Sequence, residues 1–178
     1  MDNKFIPKSL DNTSSRLKNS LRSLDMTEEK FWLMKSEPDA YSIDSLRNED
    51  VTLWDGIRNY QARNFMRNMQ KGDKVFFYHS NCKPPGIVGL MEVIELNIID
   101  PTQFETESKY FDPKSKPDSP RWDCVKVKYL FKSNEILSLP KLKTLFNEDE
   151  LLVVKKGNRL SILPVKNDVA EIILKRIK

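Results

Sequence analysis

Residues Trp54 to Asn64 read Trp-Asp-Gly-Ile-Arg-Asn-Tyr-Gln-Ala-Arg-Asn, a window dense in groups suited to gripping a planar ligand. Trp54 and Tyr60 offer flat apolar faces, Arg58 and Arg63 offer forked cationic donors, and Asn59, Gln61 and Asn64 donate and accept hydrogen bonds at once. A flat molecule with a polar edge, such as a nucleobase, calls for that set. A plainer reading uses the same residues: Asp55-Gly56 as a turn, Asn59 as a helix cap and the aromatics as core. On this stretch alone the two readings stand level.

These side chains need elements to hold them. Asn59 predicts a helix start, and Tyr60, Arg63, Arg67 and Lys71 then step round one side of a helix that Gly72 ends in a left-handed cap. Phe65, Met66 and Met69 form its apolar side. Arg63, Arg67 and Lys71 become a cationic stripe, either a solvated face or, beside a stacking residue, a grip on phosphates.

Upstream, Phe31 to Lys35 reads as a buried strand that stops at Ser36-Glu37-Pro38-Asp39, and Ser42 caps a short helix through Arg47 with Ile43 and Leu46 facing inward. Downstream, Lys74 to Ser80 is β-rich, with Phe76, Tyr78 and Ser80 on one face and Val75, Phe77 and His79 on the other. Ile87 to Ile99 predicts a long strand in which Gly89 marks close approach of a backbone or a ligand. Asp100 to Asp123 is a proline-punctuated loop holding Tyr110, Phe111 and Trp122, and structured loops of that length are often functional. Val125 to Lys132 alternates as a strand with one wet face. Pro140 opens a helix that turns Leu142, Leu145 and Phe146 inward. Leu151 to Lys155 is a further apolar run, Leu160 to Leu163 a last short strand, and Asn167 a cap for a closing helix with Val169, Ile172, Ile173 and Ile177 buried. No βαβ rhythm or internal repeat occurs. The pattern predicts an α+β fold, a small mixed or antiparallel β-barrel with flanking short helices, as one domain over residues 30–178.

The composition narrows the function. The 178 residues carry a net charge of +4, from 30 Lys and Arg against 26 Asp and Glu. That is mildly basic, so any contact with nucleic acid must use a local patch. No run approaches the roughly 20 apolar residues of a membrane span, so no membrane partner is expected. His79 is the sole histidine and Cys82 and Cys124 form no ligand motif, so neither a metal site nor any cofactor is expected. The cysteines are expected to stay reduced, in nucleus or cytoplasm. Residues 1–29 are Ser- and Asn-rich, and read as a disordered or weakly helical tail. Leu17, Leu21 and Leu24 with Arg16, Lys18 and Arg22 give that tail a faint organellar-targeting character. For nucleophilic catalysis the only pairing on offer is His79 with Cys82 or a serine, at a spacing that matches no signature, and the nucleophile-elbow, phosphate-loop and dinucleotide patterns are absent. No catalytic residue is assigned.

A resemblance then joins the scattered signals. Trp32-Leu33-Met34-Lys35-Ser36-Glu37-Pro38, the Trp54 to Asn64 run, Gly72-Asp73, Phe77-Tyr78-His79-Ser80, Pro84-Pro85-Gly86-Ile87-Val88-Gly89, Asp112-Pro113-Lys114-Ser115, Pro120-Arg121-Trp122 and Arg159-Leu160-Ser161 resemble, in order, the motifs of the EVE-domain family, in particular its thymocyte nuclear protein type. The resemblance runs from about Phe31 to the C-terminus. It implies a PUA-like fold related to the YTH readers of methylated adenine. It also implies a module that binds DNA or RNA with a modified base, 5-methylcytosine or 5-hydroxymethylcytosine, flipped into an aromatic pocket. An enzyme acting on that base and a small-ligand adaptor are the alternatives.

Carried over by position, Trp54 and Tyr78 are the implied stacking walls, and Ser36, Asn59, His79 and Ser80 the edge-reading groups. Arg58 is a phosphate or base contact, and Trp122, Arg159 and Ser161 lie near the cleft. Asn158 stands where many relatives have serine, a surface-type change. Tyr60 completes the pocket set, and Ile57 and Gly89 are candidates for the wall against the modification. Arg63, Arg67 and Lys71 are expected to hold the nucleic-acid backbone, and the protein to act as a monomer.

Overall fold

The computed structural model describes residues 29–178. The expectations for the tail before Glu29 lie outside the described residues. Six strands, β1 (Phe31–Ser36), β2 (Val51–Trp54), β3 (Lys74–His79), β4 (Gly86–Ile99), β5 (Asp123–Ser138) and β6 (Ile162–Val165), form one sheet in the order β2-β5-β4-β3-β1-β6. The helices are α1 (Ile43–Glu49), α2 (Tyr60–Arg67), α3 (Leu139–Leu145) and α4 (Asn167–Ile177). Of the strand pairs only β1 and β3 run parallel, with Ser36 beside His79, so the two strands run out at one place.

The α+β class is as the sequence predicts, but the sheet does not close into a barrel. Its outer strands, β2 and β6, have four residues each, and Pro164 within β6 has no N–H to offer a neighbour. Helix α2 packs on both β5 and β6, strands far apart in the sheet order. The sheet must therefore curl around α2, and a helix occupies the seam that hydrogen bonds would seal in a barrel.

Alternation along the strands divides the apolar residues between two cores. Trp32, Met34, Phe77, Met91, Val93 and Val127 pack with Ile43 and Leu46 of α1 and Ala62 and Met66 of α2. Leu33, Phe76, Tyr78 and Leu90 pack on the other face with Leu142 of α3 and Ile173 and Ile177 of α4. Each fully buried Leu, Ile or Phe contributes about 1.5–3 kcal/mol, so both clusters, and not strand pairing alone, fix which residues reach the rim.

Three local expectations change. Helix α2 ends at Arg67, four residues short of Lys71, with Asn68 as its C-cap. The cause is the buried Asp73 carboxylate, which accepts from the Gln70 and Lys30 N–H groups and from Trp32 Nε1 and so draws the chain out of the helix toward β3. Gly72, at φ +96°, serves that turn instead of capping α2. Asn167 is the first residue of α4, Lys166 takes the cap position, and the last strand lies two residues later than predicted. Ser42 does cap α1, its side chain accepting from the Ser45 N–H, and Asn59 caps α2 by accepting from Ala62.

Gly89 illustrates how tightly β4 and β5 are pressed together. An ideal Cβ there would lie 2.5 Å from the Phe131 carbonyl oxygen and 3.0 Å from Ile43 Cδ1. The close approach at this position is that of the β5 backbone. Gly89→Ala is expected to destabilise the fold by about 1–3 kcal/mol, as overpacking against a backbone atom does, read as a lower urea midpoint at unchanged slope.

Candidate functional site

The β2 strand delivers Trp54 to a turn, and the turn is built on a carboxylate. Asp100, fully buried, accepts from the Gly56 N–H (2.9 Å) and Arg58 Nη1 (2.7 Å) through Oδ2, and from the Thr102 N–H (2.8 Å) and Thr102 Oγ1 (2.6 Å) through Oδ1. Arg58 continues the network with its Nε on the Tyr110 carbonyl (2.6 Å) and Nη2 on Thr102 Oγ1 (2.9 Å). The 100–123 loop is thereby tied to the turn. Tyr110 lands over Gly56, whose φ is +74° and whose missing Cβ would sit 2.6 Å from the tyrosine ring. Only glycine fits both demands.

The far end of the loop is clipped as firmly. The buried Gln103 donates to the Asp100 and Trp122 carbonyls and accepts from the Arg121 and Trp122 N–H groups. Asp112 accepts from Trp122 Nε1 (2.7 Å), the Lys114 N–H and Arg121, and the Trp122 and Lys114 bonds hold its carboxyl below the usual range.

Between this loop, the turn and the ends of β1 and β3 lies a cavity of about 730 Å³. Its walls include Trp54, Tyr41 and Tyr110, its polar lining Ser36, Ser80, Ser161, Asn59 and Asp55, and its charged rim Lys35, Glu37, Lys109 and Arg159. Burial, followed by the neighbouring Asp100 charge, raises the Asp55 carboxyl above its ordinary range. Burial also pushes the Tyr41 hydroxyl up to about 12 and lowers the Lys35 ammonium.

Eight sequence-predicted residues meet here: Ser36, Trp54, Ile57, Asn59, Ser80 and Ser161, with Arg58 and Arg159. Trp54 is only 7% exposed and meets Phe77 and Tyr41 edge-on, so it is both core and wall. Asn59 has its carbonyl engaged by the Ala62 N–H, which leaves its amide N–H groups for a ligand. Arg58 touches the cavity with its hydrogen bonds already committed to the loop.

The other predicted residues lie elsewhere. Tyr78 packs in the opposite core, because the pleat that points Phe77 toward Trp54 points Tyr78 away. His79 Nε2 accepts the Ile43 N–H at 3.1 Å, and a backbone donor on that nitrogen requires it to be unprotonated. Tyr60, half exposed, stacks on the buried Trp122 with centroids 4.9 Å apart, outside the cavity. The expected cationic stripe does not form: Arg63 lies over Tyr60 and donates to the Arg121 carbonyl, Arg67 pairs with Asp123, and Lys71 is beyond the helix end. Asn158, expected as a surface position, is half-buried and pins its turn through the Leu152 carbonyl and the Leu160 N–H.

Sequence reasoning missed Lys35, Glu37, Tyr41, Asp55, Lys109 and Tyr110 as lining. A signal existed for the first two, since the buried strand turns polar at its end, from Lys35 to Glu37. For Asp55 the signal was its place beside Trp54. Tyr41 and Lys109 reach the cavity through tertiary folding alone. Among the described residues no group of three His, Cys, Asp or Glu side chains is arranged to hold a metal, and no helix is long and apolar enough to cross a membrane.

A curled six-stranded mixed sheet with four short helices and a cavity at the ends of a parallel strand pair defines a PUA-like α+β domain. The YTH domain of Zygosaccharomyces rouxii MRB1 shares this fold at a TM-score of 0.52 and 14% identity, over 86% of this chain and 89% of that one. The chain belongs to the EVE-domain family, whose model matches residues 30–176. Thymocyte nuclear protein 1 of Homo sapiens is 38% identical over 90% of this chain and 78% of its own length. The crystal structure of the human THYN1 protein in complex with DNA containing 5-methylcytosine superposes with a TM-score of 0.77 at 38% identity, covering 83% of this chain and 96% of that one.

The His79 geometry yields a pH prediction. Burial lowers its pKa below the ordinary 6.5 in the folded state, so the unfolded chain takes up the proton first. Its stability contribution is present above about pH 6.5 and is lost as pH falls through the folded value. Wild type is expected to lose urea stability between pH 7.5 and 5.5 relative to His79→Gln, which keeps an acceptor but cannot titrate.

Proposed function

We propose that this chain is a nucleic-acid-binding module that holds one modified base, 5-methylcytosine or 5-hydroxymethylcytosine, flipped out of its stack into the cavity beside Trp54. The observation that carries this reading is the cavity itself. Its volume of about 730 Å³ falls in the range of roughly 300–1,000 Å³ common for small-ligand sites. Aromatic walls with hydroxyl, amide and carboxylate groups around them suit a planar heterocycle with donors and acceptors on its edge. The human relative solved with 5-methylcytosine DNA supports the choice of base, and the name thymocyte nuclear protein supports a nuclear place of action.

The energetics constrain how such a module works. Extruding a base costs a few kcal/mol and stacking on aromatic faces returns about 1–3 kcal/mol, so the two roughly cancel. The surplus must come from phosphate contacts, which makes binding salt-dependent. A buried methyl group adds only about 0.8 kcal/mol, near fourfold in affinity. Greater selectivity requires a wall that leaves a gap beside the unmodified base, and Ile57, buried at 6% exposure on the cavity, suits that role.

Binding, not turnover, is the activity proposed. The only histidine has its Nε2 bonded to the Ile43 N–H, and Cys82, its thiol raised by burial, points its sulfur at the Pro84 carbonyl. Neither lines the cavity.

Titration of otherwise identical oligonucleotides carrying cytosine, 5-methylcytosine, 5-hydroxymethylcytosine or N6-methyladenine, as DNA and as RNA, tests the reading. Wild type is expected to prefer a modified cytosine at least fourfold. Ala40→Trp, which places a bulky ring at an exposed position of the cavity rim, is expected to erase that preference with an unchanged unfolding midpoint. Equal binding of every oligonucleotide by wild type contradicts it.

A further inference from the structure

A second cavity, of about 330 Å³, adjoins the first, and Lys35 and Ser80 line both. Lys143, Lys155, Lys156 and Asn158 line it as well, and no carboxylate does. Lys143, Lys155, Lys156 and the neighbouring Arg159 are exposed, and none has an ion pair or hydrogen-bonded acid among the described residues. Seven cations elsewhere, Arg58, Arg67, Lys74, Arg121, Lys126, Lys128 and Lys132, each face a carboxylate.

The turn that carries Lys155 and Lys156 is fixed in place. Asn158 donates to the Leu152 carbonyl at 2.9 Å and accepts from the Leu160 N–H at 2.9 Å, while its own carbonyl receives Lys35 Nζ at 3.4 Å. Gly157, at φ +78°, makes the reversal possible. Val153 and Val154 beneath the turn are buried in the core that holds Leu142 of α3 and Ile173 of α4. Lys35, Lys143, Lys155 and Lys156 therefore line one groove with no carboxylate beside them, and a polyanion laid along it supplies the missing counter-charge.

We propose that this lysine groove is the phosphate track of the module: the strand whose base enters the Trp54 cavity leaves across Lys35 and Ser80, and its next phosphates lie on Lys143, Lys155 and Lys156. The track replaces the α2 stripe as the source of the electrostatic surplus, since the α2 arginines are committed within the fold. It rests on the reading of the larger cavity as a base site, and the two can fail separately.

Binding of a single-stranded and a duplex oligonucleotide with one 5-methylcytosine is measured from about 50 to 200 mM salt, for wild type, for Lys143→Gln/Lys155→Gln/Lys156→Gln, and for Lys175→Gln/Arg176→Gln as a charge-removal control on α4. Each lost phosphate contact lowers the salt slope by about 0.7 for a single strand and about 0.9 for a duplex. The triple variant is expected to lose about two units of slope on the single strand and nearly three on the duplex, with the preference for 5-methylcytosine over cytosine retained and the control unchanged. A triple variant with the wild-type slope, or a control that loses as much per charge, overturns the track while leaving the base cavity standing. Wild type that shows no salt-dependent binding to either oligonucleotide overturns the base reading, and the track with it. Unchanged unfolding midpoints in both variants exclude misfolding as the cause.

Discussion

The carboxylate of Asp100 is the constraint on which the rest of the site depends. A buried ion is costly, by several kcal/mol even after relaxation, unless partners surround it. Here the Gly56 N–H, the Arg58 guanidinium and both donors of Thr102 surround it. Satisfying one charge therefore forces two segments together: the turn between β2 and α2, which carries Gly56 and Arg58, and the first residues of the long loop. Tyr110 becomes a cavity wall only because Arg58, held by Asp100, grips its carbonyl. The cavity is thus pre-formed, and the cost of ordering the loop is met during folding and not during binding.

This arrangement divides labour among the cations differently from their positions in the chain. Arginine's fork makes it the better residue for binding several backbone oxygens at once, and Arg58, Arg63 and Arg121 are used as internal ties. Arg63 lies across Tyr60 and Trp122, and Arg121 reaches both Asp112 and the Tyr60 hydroxyl, so these side chains lock the loop against α2. Lys35, Lys109, Lys143, Lys155 and Lys156, whose ammonium groups are compact and strongly hydrated, line the two cavities. Electrostatic attraction toward a polyanion in this chain of net charge +4 is then a matter of local placement.

The fold was legible wherever a local rule decides. Ser42 and Asn59 announce helices α1 and α2 because a side-chain oxygen must satisfy the first free N–H groups. Alternation in Lys74 to His79 separates the faces correctly, since the pleat allows nothing else. Illegible features were those set by distant partners. Asp73 ends α2 early through Lys30 and Trp32, which are some forty residues away in the chain. Barrel closure failed on the shortness of β2 and β6, and strand ends are the least readable feature of a sequence. The site was half legible: the Trp54 turn and the serines at the ends of β1 and β3 line one cavity, whereas Tyr78 packs in the opposite core and Gly89 against the β5 backbone. Residues that recur in a motif because they hold the fold look the same in sequence as residues that hold a ligand.

The proposed function turns on whether the Trp54 cavity receives a base removed from its stack. The most direct measurement is a crystal structure of the chain with an oligonucleotide that contains a single 5-methylcytosine. The methylated base is expected inside the cavity, flanked by Trp54 and Tyr110 with its polar edge toward the serine and Asp55 groups. A complex in which that base stays stacked within its own strand, with the cavity holding only solvent, would contradict it.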